Sequence, residues 1–98
     1  MSDCVEGQIV KSIAGRDKNT FMIVVGFLED GQVLLCDGNI RKISHPKKKK
    51  LKHLAATKTI NIEIQEKLRT GKKIQNAEIR KILKPWQLKT SAETIKEV

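Results

Sequence analysis

Phe21-Met22-Ile23-Val24-Val25-Gly26-Phe27 is the stretch on which the fold turns. It carries no charge and is β-branched at its centre, which suits a pleated, packed strand. It is also apolar at alternate and intervening positions alike, so both of its faces need cover. Downstream, Glu29-Asp30-Gly31 reads as a turn and Val33-Leu34-Leu35-Cys36 as the next strand. Asp37-Gly38 matches a two-residue type I′ hairpin turn. Ile40, Lys42 and His45, alternating with Arg41 and Ile43, then predict a fourth strand that Pro46 ends. Upstream, Val5, Gly7, Ile9 and Lys11 alternate with Glu6, Gln8, Val10 and Ser12 in a first strand, and Lys52-His53-Leu54-Ala55-Ala56-Thr57 supplies a brief fifth. Strands this short and closely spaced form a small barrel or a tightly curled sheet.

From Ile60 the apolar period lengthens. Ile60, Ile64 and Leu68 share one helical stripe, with Thr59 or Asn61 as N-cap and Gly71 as the stop. A second helix is predicted from about Asn76, carrying Ile79, Ile82, Leu83 and Trp86 on one face, and ending at or just before Pro85. Residues 87–98 hold a weak capping box, Thr90 to Glu93, and little apolar surface, so they read as a flexible tail. The two helices are the only material able to cover the outer face of the central strand, and they are expected to pack onto the sheet. The chain therefore divides into residues 1–58, a mostly β unit with a basic loop, residues 59–86, two short helices, and residues 87–98.

The charge is lopsided. Residues 1–43 hold five Lys or Arg against six Asp or Glu, and residues 44–98 hold fifteen against five, which together give the net +9. Such a field calls for a polyanionic partner, RNA first. The chain has no apolar stretch approaching the roughly 20 residues that span a bilayer, so no membrane partner is expected. Its N-terminus, Met1-Ser2-Asp3-Cys4-Val5-Glu6, lacks the basic start and apolar core of a signal peptide, and the chain reads as cytoplasmic. Two cysteines make no disulfide scaffold, and Cys4, Cys36, His45 and His53 show no zinc knuckle. Neither a metal nor a cofactor is expected. Catalysis finds no recognisable signature: Asp17, Asp30 and Asp37 all fall in turns, where Asp serves local hydrogen bonding.

Ala14-Gly15-Arg16-Asp17-Lys18-Asn19 joins the first two strands. Gly15 and Asn19 suit positive φ, so the loop turns tightly and exposes backbone N–H groups. Arg16 and Lys18 flank Asp17 at the tip, within reach of phosphates, while Asp17 orients the loop. On residue types alone this is an ordinary polar hairpin loop.

Context changes that weighting. Gly7-Gln8-Ile9-Val10, Ala14-Gly15-Arg16-Asp17-Lys18, and Val33-Leu34-Leu35-Cys36-Asp37-Gly38, taken in order, resemble the KOW motif of ribosomal and transcription-associated proteins. With Asn39-Ile40-Arg41-Lys42 and Pro46 to Leu54, the chain looks like KOW proteins related to the "fourteen-e" family of the large ribosomal subunit. The resemblance covers about residues 5–57. It implies an SH3-like β-barrel, here followed by two helices packed on it, whose loops and basic surface bind RNA. It also implies that Arg16, Lys18, Arg41 and Lys42 are contact residues, beside the backbone N–H groups that Gly15 and Asn19 let the loop expose. The family usually has glycine where Asn19 stands, and Asn tolerates the same left-handed geometry better than other side chains. The function implied is binding of structured ribosomal RNA by a non-enzymatic ribosomal or ribosome-associated component, monomeric off the RNA and with ribosomal proteins as further neighbours. A KOW-type protein-docking module is the alternative.

The run Lys47-Lys48-Lys49-Lys50-Leu51-Lys52-His53 reads as a solvated loop, a targeting-like stretch or a phosphate-binding strip, and the resemblance favours the last. Lysine reads no sequence, so the strip supplies affinity rather than choice. If about five lysines each neutralise a phosphate, log K against log salt slopes near −4. His53 is either a base-stacking or phosphate-donating residue or a plain surface histidine. Lys73, Arg80, Lys81 and Lys84 offer a second basic face on the helices, and Trp86 reads as core.

Overall fold

The computed structural model describes residues 4–97, with side chains as far as Leu88. Five strands, β1 (Gln8–Ser12), β2 (Phe21–Phe27), β3 (Val33–Cys36), β4 (Lys47–Lys49) and β5 (Leu54–Ile60), form one antiparallel sheet in the order β4-β3-β2-β1-β5. Two helices follow, α1 (Ile62–Thr70) and α2 (Asn76–Glu97).

The central strand does need cover on both faces, and receives it. Ile23 pairs with Ile9 on one side and Cys36 on the other, and this row meets Ile64, Ile74, Ile79 and Leu83 in the core under the helices. Its neighbours Met22, opposite Val10, and Val24, opposite Leu35, point the other way into a second core with Val33 and Cys4. Met22, Ile23 and Val24 are fully buried. A one-residue slip would exchange the two cores, so the register is firmly held.

The sheet is curled but its edge strands do not hydrogen-bond to each other. A flat sheet of five strands would set its edges about 19 Å apart. Only Lys50–His53 link edge strand β4 to edge strand β5, and a 3₁₀ turn at Leu51–His53 shortens that link. Such a segment reaches about 14 Å, so the edges must bend toward each other. Register shifts between Val24 and Gly26 and between Gln8 and Val10 supply the bend. Leu51 and Leu54 then pack against the second core and close its mouth.

Four expectations are corrected. The fourth strand is not Ile40–His45 but the lysine run itself, Lys47–Lys49, lying along β3. Lysine on an edge strand is a common way to deter pairing with other chains, which makes the placement physically reasonable. Second, Asp37-Gly38 is not a type I′ turn, which needs positive φ at both residues, because only Gly38 has it. Asp37 Oδ1 instead accepts from the N–H groups of Asn39 and Arg41, at 2.9 and 2.8 Å, and so holds residues 37–41 in a loop. Third, α2 does not end at Pro85 but continues to Glu97. Trp86 packs on Phe21 with ring centroids 5.4 Å apart, and the Gln87 amide donates to the Phe21 carbonyl at 3.0 Å. These contacts hold the turn after Pro85 against the sheet and offset the backbone hydrogen bond that proline removes. Of the segment read as a tail, the backbone is helical to Glu97, and the capping-box side chains lie outside the described residues.

Other readings hold. Asn61 caps α1, its Oδ1 accepting from Ile64 N at 2.9 Å, and Gly71 ends it in the left-handed conformation. Fourth among the corrections, Ile60, expected on the helical stripe, belongs instead to β5. Lys67 lies 3.8 Å from Glu63 and closer, at 2.7 Å, to Glu78 of α2, and so ties the two helices together. Among the described residues, no helix is long and apolar enough to cross a membrane.

Candidate nucleic-acid interface

Alternation along β4 divides the lysine run. Lys47 and Lys49 face inward across the curl of the sheet; Lys48 is exposed. Lys49 is only 7% exposed, and its Nζ donates to the Ala14 carbonyl at 2.7 Å and to Asp17 Oδ1. Lys47 Nζ lies 3.3 Å from Asp17 Oδ2, an ionic contact without hydrogen-bond alignment. Ser12 Oγ completes the cluster, donating to Asp17 Oδ1 at 2.8 Å. Burial alone would raise the Asp17 carboxyl, but Lys49, Ser12 and Lys47 outweigh it and hold it at about 2, against an ordinary 3.8. The β1–β2 loop is thereby clamped onto β4.

The loop has the expected conformation. Gly15 and Asn19 lie at φ +84° and +73°, and Asn19 N donates to Ser12 O at 2.7 Å, closing the turn. Arg16 and Lys18 are exposed. On the β3–β4 loop, Arg41 and Lys42 are exposed as well. That loop is held from α2. Asn76 Oδ1 accepts from Ile43 N at 2.7 Å, and Arg80 Nη1 donates to Gly38 O at 2.7 Å. Gly38 sits so close to the helix that a Cβ there would meet Asn76 O at 2.4 Å.

The two loops face each other across a cleft of about 280 Å³, which Arg16, Arg41 and Lys47 line together with Asp17 and Asp37. A second cleft, about 470 Å³, adjoins it through Thr20 and Asp37 and is flanked by Arg80 and Lys84 of α2. The structure thus brings together Arg16, Arg41 and Lys47 of the expected contact residues, and continues the basic surface onto α2. Lys48, Lys50 and Lys52 are exposed, and His53 is half-buried in the 3₁₀ turn, with its carbonyl accepting from Ile13 N at 3.0 Å. Arg16, Lys18, Arg41, Lys42, Lys48, Lys50 and Lys52 make no side-chain hydrogen bond or ion pair among the described residues. Lys49 stands apart, its cation already engaged inside the molecule.

Sequence reasoning did not find Ser12, Thr20, Met22 or Ile40 at this site. Ser12 and Met22 look like ordinary strand residues, and nothing local marks Thr20 or Ile40. Four identical residues show no alternation and lysine has low β-propensity, so nothing local marks the split within the lysine run. Comparison of the chain with protein-family models and with curated proteins finds no match.

Proposed function

We propose that this chain is a non-enzymatic RNA-binding protein of the KOW type that binds structured ribosomal RNA as a cytoplasmic ribosomal or ribosome-associated component. One observation carries the reading: two loops far apart in sequence present unpartnered Arg16 and Arg41 to one cleft, bordered by a strand of lysines. Cations without internal partners are free to replace the counterions of a phosphate backbone. The strand order, with β1 between β2 and β5, and the 3₁₀ turn that leads into β5 support an SH3-like barrel as the scaffold. Lys49 and Lys47 have a structural task, so the strip contributes Lys48, Lys50 and Lys52, and the rest of the affinity falls to Arg16, Lys18, Arg41 and Lys42.

Sedimentation of tagged protein through a sucrose gradient, with and without RNase, tests the assignment. Co-migration with ribosomal particles that RNase abolishes is expected. Exclusive migration as free protein, unchanged by RNase, would count against a ribosomal role. Binding to a protein partner that is insensitive to salt would favour the docking alternative.

A further inference from the structure

The cleft between the β1–β2 and β3–β4 loops has a composition that phosphate binding does not explain. Met22 lies fully buried beneath it, and its wall includes Ile40, a branched apolar side chain that is 80% exposed on the β3–β4 loop. Neither offers anything to a phosphate. Two carboxylates line it as well, and these would repel one. The charge of Asp17 is answered by Lys47 and Lys49. Asp37 is different. Its Oδ1 accepts two backbone N–H groups, while its Oδ2 accepts none among the described residues and is open to an outside donor. The Thr20 hydroxyl, on the same cleft, likewise has no partner among the described residues.

A planar, partly apolar group with N–H donors on its edge and negative charge on its flanks matches this lining, and an unstacked nucleotide is such a group. Sequence-selective RNA recognition targets bases splayed out of loops and bulges, held on aromatic or guanidinium planes. Aromatic planes are not at hand here: Phe21 and Trp86 pack on each other, and Phe27 lies at the far end of β2. Guanidinium planes are, because Arg16 and Arg41 reach the cleft from different loops. The volume, about 280 Å³, lies at the small end of the range for ligand sites and suits one nucleotide rather than a duplex edge.

We infer that this cleft receives a single unpaired nucleotide of the bound RNA, with its base against Ile40 and one of the two guanidinium planes, its donor edge on Asp37 and Thr20, and a flanking phosphate on the other guanidinium. The inference rests on the RNA-binding reading above. It gives the protein a means of choosing a site, which the lysines do not.

The test uses the full chain and two hairpin RNAs of equal nucleotide number, one fully paired and one carrying a single bulged 2-aminopurine. The bulged RNA is expected to bind about tenfold tighter, as one base contact provides, with a change in 2-aminopurine fluorescence. Ile40→Ala and Thr20→Val should each pull the affinity for the bulged RNA toward that for the paired one. Equal binding of both RNAs by the unaltered protein overturns the cleft proposal and leaves RNA binding intact. Binding of neither overturns the functional reading along with it. An excess of free AMP should not displace the bulged RNA; if it does so as readily as unlabelled bulged RNA, the ligand is a free nucleotide and the proposal is wrong.

Discussion

Lys49 turns its ammonium into the protein and onto Asp17, tying the middle of a lysine run to a loop that lies across the curl of the sheet. The contact converts what reads as an RNA-binding cation into a structural one. It also fixes the position of Arg16, the residue before Asp17, relative to the basic strand.

Replacing Lys49 should therefore cost stability, and replacing Lys48 should not. Lys49→Met leaves the Ala14 carbonyl without this donor and Asp17 Oδ1 with Ser12 Oγ alone, a loss of about 1–3 kcal/mol. Lys48→Ala, on the exposed side, should stay within about 0.5 kcal/mol. Urea denaturation of both variants measures the difference. Equal midpoints would mean that the clamp contributes nothing.

Asp17 predicts an acid-sensitive fold. Its folded carboxyl, at about 2, lies below its ordinary 3.8, so in between the unfolded chain binds more protons than the folded one. The stabilisation is complete above the ordinary value and is lost as pH falls toward 2. Glu78, lowered chiefly by its hydrogen bond from Lys67 and then by Gln75 N, acts in the same direction. The melting temperature should drop between pH 5 and pH 2, and Asp17→Asn should flatten that drop without abolishing it. An Asp17→Asn profile parallel to that of the natural chain would refute the assignment.

Gly38 and Gly31 both have positive φ, +77° and +87°, but different surroundings. Gly31→Ala meets nothing within 4 Å and should cost only the backbone strain, about 1–2 kcal/mol. Gly38→Ala runs into the backbone of α2 and should cost more and loosen the helix from the β3–β4 loop. Hydrogen exchange at Ile43 N, which bonds Asn76, reports that loosening.

The exposed cations should show in the salt dependence of RNA binding. Removing Lys48, Lys50 and Lys52 together should reduce the slope of log K against log salt by about 2–3. Removing Arg41 alone should reduce it by about 0.7–0.9. An unchanged slope in the triple variant would exclude the strip from the interface.

Cys36 should be inert. Burial, aided by the neighbouring Asp37 charge, pushes its thiol up to about 12, and the side chain is fully covered. A thiol reagent at neutral pH should leave it unmodified until denaturant is added, as mass spectrometry would show.

Much of the scaffold was legible because its signals are local. Phe21 to Phe27 carry no charge and are β-branched at the centre, which favours a strand locally, and Asn61 and Gly71 bound α1 by satisfying the groups next to them. The demand of that strand for two covers was legible too, and with it the packing of the helices. Three of the errors share one cause. Lys47–Lys49 is a strand because β3 lies alongside, Asp37 makes a loop because its carboxylate takes N–H groups that a hairpin would have used, and α2 passes Pro85 because Phe21 holds Trp86 and Gln87.

The sequence by itself determined the lopsided charge, the central two-faced strand and the basic loops, since each depends on composition or on neighbours a few residues away. Which lysines remain available to a partner was decided only by the tertiary structure. Charge is a property of the residue. Its availability depends on whether the fold brings up a counter-charge, as Asp17 does for Lys47 and Lys49 and nothing among the described residues does for Lys48.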